Sequence, residues 1–230
     1  MKSVLIRLEG PVQAWSTQIK LGIRDTDQEP GKSGVLGLVG AALGMARDDD
    51  ALLAELRALT LAVRVDRQGS LLHDYHTAGG GRFRGERYVV YGAKDCVPSH
   101  RYYLQDASFV AALAGDDELV TRLAVALRDP RWALFLGRRA CVPSVAPFVA
   151  VVSTDAEAAV RLAPTAERSV KQPLRAVIEV PPGQGGEPRY DVPLSFRDGD
   201  RRYGLRHVKI SWIEVPEELA EVRAGPRRTP

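Results

Sequence analysis

Glycine recurs at positions 34, 37, 40 and 44, on a three- and four-residue spacing, inside an apolar run that predicts a helix from Ser33 to about Met45. Each glycine disfavours a helix by about 1 kcal/mol relative to alanine, so such a stripe calls for something packed close against the bare backbone. A sheet or a nucleic-acid backbone could be that neighbour. Ser33 is the expected N-cap, and Val35, Leu36, Leu38, Val39, Ala42 and Leu43 supply the apolar face.

The flanking segments read as a layered domain. Residues 3–8 (SVLIRL) form a strand stopped by Gly10-Pro11, and residues 12–32 lack periodicity and read as a loop. A helix is expected over 49–58, with acids favouring its N-terminal end, and a strand over 60–66. A helix over 116–128 ends before Pro130. Strands follow near 132–136 and 147–153, then a short helix near 155–161. Further strands are expected at 175–180 and 207–215, with a Gly/Pro-rich loop over 181–188. A strand–helix–strand opening followed by mixed elements predicts an α+β fold in the ferredoxin-like range.

At 230 residues, with 45% apolar and 27% charged residues, the chain can bury a sizeable core and is not expected to be disordered. No apolar run of eighteen residues exists, and the N-terminal apolar stretch is too short for a signal peptide. A cytoplasmic protein without a membrane partner is expected. Cys96 and Cys141 stand far apart and form no CxxC pair, which argues against a disulfide framework or a cysteine zinc site.

Charge narrows the function. The net charge is +3, yet arginine outnumbers lysine 26 to 6. Arginine suits phosphate and stacks on bases, although a GC-rich genome enriches it too. Residues 76–101, residues 197–209 and the tail from Arg223 each carry a local +3, which leaves the rest of the chain at −6. Clustering of this kind fits a polyanion binder.

Several motifs admit two readings. Pro30-Gly31-Lys32-Ser33 imitates the end of a P-loop, but Thr26 stands where that motif needs glycine, so an NTPase is not expected. A helix N-terminus beside Lys32 remains a reasonable phosphate contact. His73 and His76 in HDYH lack a third ligand, and no metal is expected. Tyr75, His76, Lys94 and His100 could serve a metal-free ribonuclease, but nothing in their spacing assigns the roles. The stretch 79–101 joins three glycines, Arg82, Arg84, Arg87, Lys94 and Arg101 with Tyr88 and Tyr91. It fits a projecting basic β-hairpin for unpaired bases, and equally an ordinary solvated hairpin. Arg138 and Arg139, after Gly137 at an expected strand end, could each clamp a phosphate or form surface salt bridges. The basic-Gly-aromatic strand of an RNA-recognition motif is absent, so RNA would use loops and helix ends.

Six ordered blocks carry a resemblance. Gly10-Pro11-Val12-Gln13-Ala14-Trp15, the Lys32–Gly44 helix with Arg47-Asp48-Asp49, Asp74-Tyr75-His76-Thr77, Tyr103–Phe109 and Leu136–Cys141 resemble, in order and approximate spacing, the CasD subunit family of Cascade, the type I-E CRISPR surveillance complex. This is the fifth CRISPR-associated protein family, of the RAMP superfamily. The matches span residues 4–143. The resemblance implies a modified ferredoxin-like (RRM-type) domain over 1–143, with a protruding basic β-hairpin thumb at about 76–105. A smaller β-rich region over 144–230 packs on it. It further implies a non-catalytic subunit that needs no cofactor, binds the 5′ handle of the CRISPR RNA and caps the backbone assembly for antiviral defence. Its implied partners are the Cascade backbone subunit, the Cascade large subunit and, through the complex, target DNA. Gln13, Trp15, Lys32, Ser33, Arg138 and Arg139 fall in the matching blocks and become RNA-contact candidates beside the thumb cations. A related type I-C branch cleaves repeat RNA with a Tyr, Lys and His set whose Lys and His are adjacent. This chain has no Lys-His dipeptide, and Lys94 is followed by Asp95, so the endoribonuclease reading is the alternative.

Overall fold

The computed structural model describes residues 1–16, 22–79, 82–83, 86–87, 96–165 and 172–216. The chain opens with β1 (Lys2–Glu9), β2 (Val12–Gln13), β3 (Ile23–Arg24), α1 (Lys32–Leu43), α2 (Asp50–Arg57) and β4 (Thr60–Arg67). There follow β5 (Ser70–Gly79), β6 (Arg82–Phe83), β7 (Glu86–Arg87), β8 (Cys96–Gln105), β9 (Ser108–Gly115) and α3 (Asp117–Arg128). The C-terminal part holds β10 (Phe148–Val152), α4 (Ala156–Leu162), β11 (Leu174–Val180), β12 (Glu187–Ser195) and β13 (Arg202–Ile213).

The fold is α+β and mostly antiparallel. Seven strands form the main sheet in the order β10-β1-β9-β4-β11-β13-β12. Residues after 143 thus add β10 at one edge and β11, β13 and β12 at the other. β1, β4 and β9 are buried along nearly their whole length because helices cover both faces of the sheet. On one face α1, α2 and α3 pack over Ile6, Leu8, Leu61, Val63, Phe109 and Leu113. On the other, α4 packs over Leu5, Ala62, Val110 and Ala112. That second face also holds an unexpected buried triad. Arg7 and Arg64 flank Val110 in one row, and both bind Asp66, each at 2.6 Å. Further guanidinium donors of both reach the carbonyls of Val160, Ala163 and Pro164 at the C-terminal end of α4. Among the described residues no helix is long and apolar enough to cross a membrane.

A second, smaller sheet stands on β8, which pairs with β5 from Ser70↔Gln105 to Gly79↔Cys96 and also with β2 and β3. Together β5 and β8 make a two-stranded arm inserted between β4 and β9.

Five sequence expectations change. Residues 12–32 hold β2 and β3 instead of a continuous loop. Ser33 is not the cap of α1. Extended Gly31 takes that place and has no side chain, so the missing acceptor comes from afar: Asp191 Oδ2 accepts from the Lys32 amide at 2.7 Å. Residues 132–136 are not a strand but an irregular connection bonded to the end of α1, with Arg131 and Trp132 amides donating to Ala42 and Ala41 carbonyls. β12 had no sequence signal, because Pro188, Pro193 and Asp191 interrupt it. It tolerates both prolines as the outermost strand. Finally, within the chain it is side chains, and not a sheet, that approach the glycine stripe. A Cβ on Gly34 would lie 2.7 Å from the Trp15 ring, and one on Gly40 would lie 2.6 Å from the Met45 side chain.

Candidate nucleic-acid interface

Gly37 leaves part of α1 bare beside Gly34, against which the Trp15 ring packs, and this surface lines an open cleft of about 590 Å3. A volume of this order suits an extended ligand of nucleotide size or larger. Trp15, Arg24, Asp25 and Asp27 line it on the N-terminal side, and Arg47, Trp132 and Phe135 line it beyond the end of α1. Phe196, Arg201 and Tyr203, around the β12–β13 turn, complete it. Four arginines (24, 47, 138 and 201) meet two acids, Asp25 and Asp27, on this surface.

The sequence candidates divide by burial. Gln13 has no exposed surface. Its amide donates to the carbonyls of Leu8 (3.1 Å) and Ala107 (2.8 Å), and its Oε1 accepts from Trp15 Nε1 at 3.0 Å. Gln13 therefore sets the angle of the indole, which lies against Gly34. Lys32 is equally consumed: its Nζ binds Glu179 Oε1 at 2.8 Å. Burial pushes the Lys32 ammonium below its ordinary value, opposed by the Glu179 carboxylate. Asp191, held at 2.6 Å by Arg206, already occupies the helix N-terminus where a phosphate would have sat. Ser33 stays half-exposed on the cleft surface.

Arg138 and Arg139 part company. Gly137 adopts φ 87, and a Cβ there would lie 1.8 Å from the Ala14 carbonyl oxygen, so the turn requires glycine. From that turn Arg138 reaches inward, donating to the carbonyls of Tyr102 (2.9 Å), Arg24 (2.6 Å) and Asp25 (2.8 Å) and lying 4.8 Å over the Tyr103 ring. It clasps residues 24–25 to β8. Arg139 is exposed and has no hydrogen bond or ion pair among the described residues.

On the arm, Arg101 is half-exposed and donates to Ser99 Oγ at 3.2 Å. Arg82 and Arg87 are backbone partners in the β6–β7 ladder, whereas Arg84 and Lys94 lie outside the described residues. The HDYH histidines separate onto opposite faces of β5. His73 Nε2 lies 2.8 Å from His100 Nδ1 and stacks on Tyr102, whereas His76 sits 4.0 Å from Asp74. Of the ribonuclease set, Tyr75 and His100 make an edge contact at 5.3 Å, and His76 lies on the other face. Among the described residues no three metal-ligating side chains converge.

Sequence reading missed Arg24, Arg47, Arg201, Trp132, Phe196 and Tyr203. Arg201 carried a signal as a member of the 197–209 charge cluster, and Arg47 as part of a block that carries the resemblance; the others carried none. Arg201 has no partner among the described residues, and Arg47 pairs only with exposed Asp198. An exposed pair of that kind contributes little, so both guanidiniums are available to an anion.

The chain is similar to known proteins throughout this architecture. It is 40% identical over 154 residues to the CRISPR system Cascade subunit CasD of Escherichia coli (strain K12), covering 61% of this chain and 67% of that protein. A solved chain from a CRISPR RNA-guided surveillance complex superposes with a TM-score of 0.79 at 34% identity, over 98% of this chain and 95% of its own length. A crystal structure of a Cas protein does so with a TM-score of 0.73 at 33% identity, over 94% and 96%. The family model for CRISPR-associated protein (Cas_Cas5) matches residues 3–209, most of the folded chain, and the protein therefore belongs to the Cas5 family of CRISPR-associated proteins.

Proposed function

We propose that this chain is a non-catalytic subunit of a Cascade-type CRISPR RNA-guided surveillance complex, working in the cytoplasm in antiviral defence. In this reading it binds the 5′ handle of the CRISPR RNA in the cleft over α1 and caps the backbone assembly. The observation that carries the reading is the cleft itself: a helix face opened at Gly37 beside aromatic rings, with Arg24, Arg47 and Arg201 free or only loosely paired among the described residues. Bare backbone admits close approach, guanidiniums suit phosphates, and rings suit splayed bases. The kinship to CasD and to the surveillance-complex chain supplies the assembly. The β5–β8 arm is the thumb, directed at a neighbouring backbone subunit, with the large subunit docked nearby. The strand order β10-β1-β9-β4, all antiparallel, supports a ferredoxin-like domain extended by β11–β13.

The test uses the purified chain and end-labelled repeat RNA in EDTA, run on native and denaturing gels. Intact RNA is expected to shift, and to stop shifting when the 5′ handle is scrambled. The triple variant R24A/R47A/R201A should weaken the shift and lower the log–log salt slope by about 0.7 for each phosphate it no longer neutralises. Specific cleavage in EDTA would overturn the non-catalytic assignment. A shift untouched by the triple variant would move the RNA site elsewhere.

A further inference from the structure

Acids near the cleft are almost all spoken for. Glu29 is held by Arg175 at 3.0 Å and Arg189 at 3.1 Å, Asp191 by Arg206 at 2.6 Å, and Glu179 by Lys32 at 2.8 Å. Asp25 accepts from the Thr26 amide at 2.9 Å. Asp27 alone in this group has a carboxylate with no hydrogen bond or ion pair among the described residues, and it lines the cleft. Its backbone is fixed: the Asp27 amide donates to the Trp15 carbonyl at 2.5 Å, and Thr26 Oγ1 both accepts from the Trp15 amide (2.9 Å) and donates to the Asp27 carbonyl (3.1 Å). A rigidly presented, unpaired carboxylate opposes phosphate binding in a cleft of arginines unless it meets a hydrogen-bond donor of the ligand.

Resting on the RNA-binding reading of the cleft, we propose that Asp27 is a specificity-determining residue that accepts a hydrogen bond from the exocyclic amino group of an unpaired base, favouring cytosine, adenine or guanine over uracil. Cytosine and adenine present one amino group, and guanine presents N1–H and its amino group side by side. Uracil flanks its single N3–H with two carbonyl oxygens, which repel a carboxylate. Phosphates lie toward Arg47 and Arg201.

The test compares fluorescein-labelled single-stranded octamers of cytidine and of uridine by anisotropy with the full chain at neutral pH, since the two bases share a size and differ at the amino position. Wild type should bind the cytidine octamer about tenfold more tightly. Asp27→Ala should bring the ratio near one, losing cytidine affinity and gaining uridine affinity. Asp25→Ala should leave the ratio unchanged. Asp27→Asn, whose amide can face either base and which keeps the shape of the site, should also collapse the ratio. A ratio that survives both Asp27 variants, while R47A/R201A weakens both octamers, overturns the base-reading role and leaves the cleft reading standing. Octamer binding that is absent or indifferent to R47A/R201A overturns the cleft reading and this assignment together.

Discussion

The two ends of α1 solve opposite problems with the same side chains. At its N-terminus, Lys32 and Arg206 are enclosed with Glu179 and Asp191, and the nearby Glu29 draws in Arg175 and Arg189. Along its glycine face and beyond, Arg24, Arg47 and Arg201 reach the cleft with no partner, or only an exposed one, among the described residues. The contrast lies in the acids: where a carboxylate is within reach and buried, the cation becomes scaffold, and where none is, it can serve a ligand. A buried charge without its partner is costly, so the first end cannot give up its ions. The second end loses little by exchanging water or Asp198 for a phosphate.

The largest effect should come from the enclosed end. Asp191→Ala leaves Arg206 with only Glu179, 3.7 Å away, strips the first amide of α1 of its acceptor, and should lower stability by about 3–5 kcal/mol in chemical denaturation. A loss under about 1 kcal/mol would break the comparison. Acid should act the same way. Burial pushes Asp191 up, but the Arg206 guanidinium and the Lys32 amide outweigh it and hold the carboxyl below its ordinary range. Its stabilisation is therefore full above the unfolded value and disappears as pH falls through the lower folded one.

Next in size is the split between neighbours. Arg138→Ala removes three hydrogen bonds to backbone carbonyls and should cost about 1–3 kcal/mol, whereas Arg139→Ala should stay within about 0.5 kcal/mol of wild type. Thermal unfolding of both variants decides it, and equal losses would refute the assignment of Arg139 to the free surface.

Gly34 and Gly37 sharpen the same contrast within one helix. Gly34→Ala pushes a methyl into the Trp15 ring and should destabilise by about 1–3 kcal/mol. At Gly37 the nearest atom to a Cβ is 4.0 Å away on Phe196, so Gly37→Ala should gain up to about 1 kcal/mol from helix propensity. Calorimetric midpoints moving in the same direction would deny that the stripe is shaped by Trp15.

The smallest effect is at Asp27. The residue is exposed as a whole, yet burial of its carboxylate, with the nearby Glu29 charge, pushes it up to about 6, against the opposing pull of Arg189. Its contribution to stability is therefore full below the ordinary aspartate value and lost as pH rises through about 6. Asp27→Asn should abolish a shallow dependence between about pH 4 and 6 in denaturation midpoints, and an unchanged profile would assign that dependence elsewhere.

Much of the fold was readable where a local signal coincided with its outcome. Asp49, Asp116 and Asp155 cap α2, α3 and α4 through their own first-turn amides, and those helices fall close to where the sequence places them. α1 has the same need but meets it with Asp191, 159 positions away, so Ser33 was the wrong cap and Lys32 an unavailable cation. The glycine stripe was legible as a demand for close contact, but its answer, an indole aimed by Gln13, was not. The candidate site was legible mainly as charge: the 197–209 cluster contained Arg201, while Arg24, Arg47, Trp132 and Phe196 gave no sign of converging.

By itself the sequence determined the α+β character, most helices and strands, the clustered basic charge, and the six blocks through which the Cas5 kinship shows. Those properties depend on periodicity, caps and short spacings, which act over a few residues. Only the tertiary structure decided which cations are enclosed and which stay open, how the β11–β13 strands extend the main sheet, and that a cleft exists over α1. Ion pairing and burial are set by residues brought together from distant parts of the chain, and spacing along the chain carries no measure of that approach.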